Sequence, residues 1–199
     1  MSGIYIHIPF CATRCIYCDF YSTTLHGKGE AYVAALAKEM DERKDFLCTE
    51  TGDNGRWICA DPLRTIYLGG GTPSQLGDSC VRQILLEICR RYDLSQVEEI
   101  TMEANPDDIC EGQDWGMVNR VSMGVQSMVD EELKMLHRRH NAEQARKAVE
   151  TLRKAGIKNI SLDLMYGLPT QTMESWNYSI DEHLHKQMPQ HISAYKQSV

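Results

Sequence analysis

Residues 8–20 read IPFCATRCIYCDF, and they follow directly on the apolar run Gly3–Ile8. The run has the pattern of a β-strand, so the loop that leaves it carries Cys11, Cys15 and Cys18. The C-x3-C-x2-C spacing lets three thiolates converge, and thiolates are preferred ligands of iron–sulfur clusters and of zinc. Structural zinc takes four protein ligands, and no fourth Cys or His lies at a suitable local spacing. The pattern therefore favours an iron–sulfur cluster with one open iron over zinc or three incidental thiols.

Further strand-like runs alternate with amphipathic helical patterns along the rest of the chain. The predicted strands are Gly3–Ile8, Leu63–Leu68, Glu98–Met102, Val118–Val125, Lys158–Leu164 and His191–Tyr195. The predicted helices are Glu30–Phe46, Asp78–Arg91, Ala142–Ala155 and Met173–Gln187. Such alternation predicts βαβ crossovers and an α/β fold with a parallel sheet, either an incomplete barrel or an open doubly wound sheet. The polar segment from Cys48 to Pro62 predicts a surface loop, and the glycines between Asp108 and Met117 predict that no full helix forms there.

Unusual residues follow the predicted strands at the points where the strands end. The run Gly69-Gly70-Gly71 follows the second strand, Glu103 and Asn105 the third, Gln126 the fourth, and Asp163 ends the fifth. In parallel α/β folds, ligands bind at the carboxyl ends of the strands. Glycines there let backbone groups approach a ligand closely. The sequence therefore predicts one binding rim that also carries the three cysteines.

Composition and charge restrict the class of protein. The formal net charge is −7, which argues against nucleic acid or an anionic membrane as the main partner. No run approaches the ~18 apolar residues of a membrane span, and no signal peptide is recognisable, so a cytoplasmic chain is expected. Of the eight cysteines, the five outside the loop are interpreted as structural or incidental thiols.

The cysteine loop after a first strand resembles the radical S-adenosylmethionine (SAM) superfamily. More narrowly, six segments are similar to the oxygen-independent coproporphyrinogen III oxidase group and to its relatives, the HemW-type heme chaperones. These segments are YIHIPFC (5–11), LGGGTP (68–73), EANP (103–106), SMGVQS (122–127), DLMYGLP (163–169) and HISAY (191–195). The resemblance covers nearly the whole chain and implies a partial (β/α)6 TIM-like barrel with a parallel sheet.

The resemblance also implies the cofactors and the residues that hold them. It implies a [4Fe–4S] cluster on Cys11, Cys15 and Cys18, with SAM chelating the fourth iron. The residues implied to contact SAM are Tyr5, Tyr17, Gly70, Gly71, Thr72, Glu103, Gln126, Arg138 and Asp163. No catalytic residue is assigned, because the electron transfer and bond cleavage belong to the cofactors. Simpler interpretations stay open: a tight turn for the glycines, a solvated helix start for Glu103, a solvated helix end for Arg138 and a core aromatic for Tyr5.

Two features favour the heme-chaperone branch of the resemblance. Asp19-Phe20 follows the last cysteine, where the oxidases have Gly-Cys, and strand one begins close to Met1. This branch implies heme as a further ligand and a heme-accepting respiratory protein as a partner. The alternatives are a coproporphyrinogen III oxidase, which decarboxylates its substrate to protoporphyrinogen IX, and an inactive truncated fragment, so enzymatic activity is left open. Family members continue into a C-terminal domain, so residues 1–199 correspond to a radical SAM core domain alone.

Overall fold

The computed structural model describes residues 2–25 and 27–197, which form eight strands and five α-helices. The strands are β1 (Ser2–Ile8), β2 (Cys48–Thr51), β3 (Trp57–Cys59), β4 (Leu63–Gly70), β5 (Glu99–Ala104), β6 (Arg120–Gln126), β7 (Asn159–Tyr166) and β8 (His191–Lys196). The helices are α1 (Gly29–Glu42), α2 (Asp78–Arg91), α3 (Asp130–Met135), α4 (Ala142–Lys154) and α5 (Met173–Asp181).

Six of the strands form one parallel sheet in the order β1-β4-β5-β6-β7-β8. Every pairing follows chain order, with helices on most of the crossovers, so the predicted α/β fold with a parallel sheet is confirmed. Within the described residues β1 and β8 each pair on one side only. The sheet is therefore open, as a partial barrel requires, and all six carboxyl ends lie at one edge.

The hydrophobic core lies against this sheet because its strands carry near-continuous apolar runs. In β4 the side chains of Leu63, Ile66 and Leu68 are fully buried, and Val121 and Ile160 are fully buried on β6 and β7. The helices cover the sheet with one apolar face each. In α2 the buried residues Val81, Ile84, Leu85 and Ile88 follow helical spacing.

Local signals set several helix boundaries. Asn141 and Gln144 form a reciprocal capping box at the start of α4. Gly156 follows the last turn of α4 with φ of 90°, a conformation that glycine adopts without strain. The region between β5 and β6 holds a short 3-10 turn, Pro106–Asp108, and no α-helix, as the glycines there predict.

The segment from Cys48 to Pro62 differs from its prediction. The sequence predicts a surface loop, but β2 and β3 pair as an antiparallel hairpin within it. Packing overrides the polar composition here: Cys48 is buried, and the ring of Trp57 meets that of Tyr92 edge-on at 5.0 Å.

Two helices differ from their predicted bounds. The helix predicted over residues 30–46 is shorter in the structure, where α1 ends at Glu42 and a 3-10 turn follows. The predicted helix 173–187 continues past α5 as a π-helix from Glu182 to Gln187.

In the part of the chain that the structure describes, no helix combines the length and apolar character that crossing a bilayer demands.

Candidate functional site

A cavity of about 370 Å³ opens at the carboxyl ends of the parallel strands. Its volume lies within the range of small-molecule and cofactor sites. Its lining includes every predicted site residue except Tyr5, namely Cys11, Cys15, Tyr17, Cys18, Gly70, Gly71, Thr72, Glu103, Gln126, Arg138 and Asp163. The topology therefore brings residues from six separate loops and strand ends to one place.

The cysteine loop is fixed at both ends by backbone hydrogen bonds. The Cys11 N–H donates to the Thr23 carbonyl at 2.9 Å, and the Thr23 N–H donates to the Pro9 carbonyl at 2.7 Å. Within the loop, the Arg14 guanidinium donates to the Ser22 carbonyl at 2.8 Å. Cys11 is buried whereas Cys15 and Cys18 are half-buried, and all three are free thiols. The loop thus presents its sulfurs to the cavity on a defined backbone.

The three sulfurs do not converge on the position of a single ion. Among residues 2–25 and 27–197 no three His, Cys, Asp or Glu side chains are close enough together to hold one metal ion. A cubane does not need such convergence, because each cysteine binds a different iron. Three thiols around one wall of a cavity therefore fit a cluster with one iron open to a further ligand.

The glycines at the end of β4 pack against β1 and the cysteine loop that follows it. The Gly71 N–H donates to the Ile8 carbonyl at 2.7 Å, and the Thr72 N–H donates to the Phe10 carbonyl at 2.8 Å. A Cβ on Gly71 would lie 2.9 Å from the Phe10 carbonyl oxygen and 3.0 Å from the Cys11 sulfur. Gly70 has φ of 114°, which other residues adopt only with strain. Local steric contacts and backbone conformation therefore explain why glycine occupies these positions, and the absence of side chains also leaves room for a ligand.

Two polar side chains donate hydrogen bonds to cysteine sulfurs. The Thr72 hydroxyl lies 3.5 Å from the Cys11 sulfur, and the Arg138 guanidinium lies 3.5 Å from the Cys15 sulfur. Asn105 joins the two donors, because its amide donates to the Thr72 hydroxyl at 3.3 Å and its oxygen accepts from Arg138 at 2.6 Å. Hydrogen bonds to ligating sulfurs tune the potential of an iron–sulfur cluster. The sequence places Asn105 at the strand end but does not predict it as a site residue, since its bridging role depends on contacts that sequence does not reveal.

Two acidic side chains, Glu103 and Asp163, face the cavity. Glu103 accepts hydrogen bonds from the Tyr67 hydroxyl at 2.8 Å and from the Gly70 N–H at 3.0 Å. Burial, together with the Glu103 carboxylate, raises the pKa of Tyr67, so its phenol remains a donor. Burial raises the pKa of Asp163 from 3.8 to about 6, and the nearby Glu103 charge adds to the rise.

Gln126 and Arg138 reach the cavity from strained or irregular backbone. Gln126 has φ of 72°, and the β6–β7 register shifts between Gly124 and Gln126. His137, just before Arg138, has φ of 56°. Positive φ at non-glycine residues is uncommon and clusters at functional sites. Sequence gives no signal for such backbone, although it predicts the two side chains.

Tyr5 lies outside the cavity lining. Its side chain is 59% exposed, its ring stacks on Tyr67 at a centroid distance of 5.8 Å, and its hydroxyl meets His7 Nδ1 at 3.3 Å. Because Tyr67 donates to Glu103, Tyr5 contacts the site only through another side chain. Its predicted contact with SAM stays a prediction.

Asp163→Asn is expected to stabilise the SAM-free protein by roughly 1–3 kcal/mol at pH 7.5. The folded-state pKa of about 6 lies above the ordinary value of 3.8, so ionisation costs stability once the pH exceeds both. The cost shrinks as the pH falls from 6 to 4, and the advantage of the variant should shrink with it. Urea unfolding of both proteins at pH 7.5, 6 and 4.5 measures this. A constant difference across the three pH values would contradict it.

The unsatisfied polar atoms of the cavity indicate that it accommodates a polar ligand. Within the described residues, Asp163 Oδ1 and Arg138 Nε are buried without a hydrogen-bond partner. Buried polar groups are normally paired, so a bound molecule with both donor and acceptor groups would satisfy them. The free thiols, the close glycines and these two atoms together fit an iron–sulfur cluster beside an amino-acid-like ligand.

Comparisons with known proteins show which family the sequence resembles. The sequence profile of the radical SAM superfamily matches residues 5–182. The heme chaperone HemW of Lactococcus lactis is 37% identical over 199 residues, which cover 98% of this chain and 48% of that protein. HemW of Escherichia coli is 36% identical, covering 99% of this chain and 50% of that protein. The chain thus spans about half the length of the curated relatives it matches.

A solved structure of a radical SAM enzyme has a similar fold. Coproporphyrinogen III oxidase (HemN) from Escherichia coli, described as a radical SAM enzyme, superposes with a TM-score of 0.79 at 25% identity, covering 98% of this chain and 44% of that one. The family profile covers most of this chain, including the cysteine loop, strands β2 to β7 and the second half of β1. The chain therefore belongs to the radical SAM superfamily.

Proposed function

We propose that residues 1–199 form the core domain of a heme chaperone that holds a [4Fe–4S] cluster and SAM in the cavity. The observation that carries the proposal is the three-thiol loop on a cavity whose other wall presents glycine backbone and unsatisfied polar groups. Membership of the superfamily supports the two cofactors, and similarity to HemW proteins supports the chaperone role.

Cys11, Cys15 and Cys18 hold three irons of the cluster in this proposal. When bound and reduced, the cluster supplies one electron to the sulfonium of SAM. Thr72 and Arg138 stabilise the electron-rich thiolates through their hydrogen bonds to the Cys11 and Cys15 sulfurs. Burial of Cys11 at the base of the loop limits the access of water to that ligand.

The remaining cavity residues orient SAM. The backbone at Gly70 and Gly71 allows the methionine end to approach closely, since no Cβ intervenes. The Arg138 guanidinium suits a carboxylate, because its buried Nε–H has no partner among the described residues and can donate to a carboxylate oxygen. Glu103 is held by Tyr67 and Gly70 and suits an ammonium or ribose hydroxyl. Thr72, Gln126, Tyr17 and Asp163 complete the set of proposed contacts.

Heme is the proposed cargo, and a heme-accepting respiratory protein is the proposed partner. Two HemW proteins are 36–37% identical to this chain, whereas the coproporphyrinogen III oxidase is 25% identical. Asp19-Phe20 after the last cysteine also supports the chaperone branch. The oxidase remains a second candidate because its structure superposes over 98% of this chain.

Hemin titration and a substrate assay separate the two functions. The cluster-loaded protein should shift the Soret band of hemin on binding, and it should form no protoporphyrinogen from coproporphyrinogen III with SAM and a reductant. Formation of protoporphyrinogen would establish the oxidase instead. Protein that takes up its cluster yet neither shifts the Soret band nor converts the substrate would support an inactive fragment.

A further inference from the structure

Two cysteines outside the cavity face each other across the β2–β3 hairpin. Cys48 and Cys59 are register partners, and their sulfurs lie 2.7 Å apart although both residues are free thiols. Cys89, by contrast, contacts the sulfur of Met117 at 3.7 Å. The sequence pattern does not distinguish this pair from the other three remote cysteines, whereas the hairpin does.

The strand geometry brings the two residues as close as antiparallel pairing allows. The Ala60 N–H donates to the Leu47 carbonyl at 3.2 Å, so a cross-strand hydrogen bond joins the residues that flank the Cys48–Cys59 pair. Hydrogen-bonded and non-hydrogen-bonded pairs alternate along an antiparallel ladder. Cys48 and Cys59 therefore form a non-hydrogen-bonded pair, in which Cα atoms lie ~4.5 Å apart. This separation falls in the range of disulfide-bonded cysteines.

The hairpin holds the pair in place on a packed surface. Trp57 forms an isolated β-bridge to Tyr92 besides the edge-on contact of their rings. Tyr92 is buried at the end of α2, and Cys48 belongs to the main hydrophobic core. Because the backbone is fixed on both sides of the pair, the two sulfurs meet without a rearrangement of the fold.

We propose that Cys48 and Cys59 are a redox-active dithiol, which a small-molecule disulfide oxidises to a cross-strand disulfide bond. The Cys59 thiolate attacks one sulfur of the small disulfide, the S–S bond breaks, and one thiolate leaves and takes up a proton. The Cys48 thiolate then attacks the Cys59 sulfur, the mixed disulfide breaks, and the second small thiol leaves. Two thiols of the protein lose two electrons and two protons, and the small disulfide gains them.

Burial sets the order of the two attacks. Cys48 is 1% exposed, whereas Cys59 is partly exposed and can reach a reagent first. Burial and the adjacent Cys59 sulfur also raise the pKa of Cys48 to about 12, so Cys48 reacts only after the exchange has brought a disulfide beside it. No residue between Lys44 and Pro62 lines the cavity described above. The site is thus separate from the proposed cluster.

Peptide mapping tests the proposal on the anaerobic, cluster-loaded chain. After incubation with oxidised glutathione, trypsin should release peptides 45–56 and 57–64 joined through Cys48 and Cys59, since each contains one cysteine. Dithiothreitol should separate them. The exposed Cys110 is an internal control, which should carry glutathione under the same conditions. If Cys110 is modified while Cys48 and Cys59 both stay reduced, the proposal is wrong.

Matched variants test the order of reaction and guard against a folding artefact. Cys48→Ser should stop at the mixed disulfide, so peptide 57–64 should carry one glutathione. Cys59→Ser should leave Cys48 reduced, because no exposed partner can start the exchange. Cys89→Ser should form the cross-link as the unchanged chain does. Wild-type protein that retains glutathione on Cys59 without forming the cross-link would overturn the proposal.

Discussion

Cys15→Ala is expected to abolish the [4Fe–4S] cluster. Three thiolates hold a cubane through three irons, and the loss of one leaves two irons without protein ligands. Cys15 also accepts a hydrogen bond from Arg138, and no other described cysteine apart from Cys11 and Cys18 lines the cavity to replace it. We therefore expect the variant to lose nearly all cluster-bound iron and sulfide rather than a fraction of it.

Anaerobic iron and sulfide quantitation with EPR of the reduced protein measures this loss. Cys110→Ala is the matched control, because Cys110 is an exposed thiol outside the cavity and should leave the signal unchanged. Oxygen-protected wild-type protein that carries zinc, or no metal, would contradict the assignment. So would a Cys15→Ala variant that keeps the iron content of the control.

Glu103→Gln is expected to weaken SAM binding by roughly 10- to 100-fold. The carboxylate is fixed by Tyr67 and Gly70, so its charge and direction are preset toward the cavity. A hydrogen bond to a charged group contributes about 1.5–3 kcal/mol, and 1.4 kcal/mol is a tenfold change in affinity. The amide keeps one acceptor for Tyr67 or Gly70 but loses the charge that an ammonium needs.

Equilibrium binding of SAM to the cluster-loaded variant tests this. Glu98→Gln is the control, since Glu98 pairs with Arg64 at 2.6 Å on the surface and lies outside the cavity lining. The iron content should be the same in both variants. Unchanged affinity in Glu103→Gln would remove Glu103 from the proposed contacts.

The parallel sheet could be predicted because its inner strands, β4 to β7, carry buried apolar runs and most of its crossovers carry clear helical stripes. Helix α2 was predicted at the bounds that the structure gives, Asp78–Arg91. The β2–β3 hairpin could not be predicted, since most residues of β2 and of the turn are polar and the hairpin depends on Trp57 packing against Tyr92. The π-helical turns from Glu182 were missed for a similar reason, because side-chain spacing does not distinguish them from an α-helix.

The candidate site was predictable where strand ends coincide with chemistry-bearing residues. The hydrogen bonds within the site could not be predicted, because Asn105 and Tyr67 bond to partners 33 and 36 residues away along the chain. Tyr5 shows that a position on a strand of the sheet does not by itself place a side chain in the cavity. It lies on β1, which leads into the cysteine loop, yet its side chain is exposed and does not line the cavity. Equilibrium binding of SAM to a Tyr5→Phe variant tests the predicted contact.

The close packing of Gly71 against Phe10 and Cys11 has a thermodynamic consequence. Neither the cysteine loop nor the glycine loop can shift without displacing the other, so whatever orders one loop orders both. Binding of the cluster by the cysteine loop and binding of SAM beside the glycine loop are then linked, and such linkage is reciprocal. A given gain in SAM affinity on cluster assembly implies the same gain in cluster retention once SAM is bound.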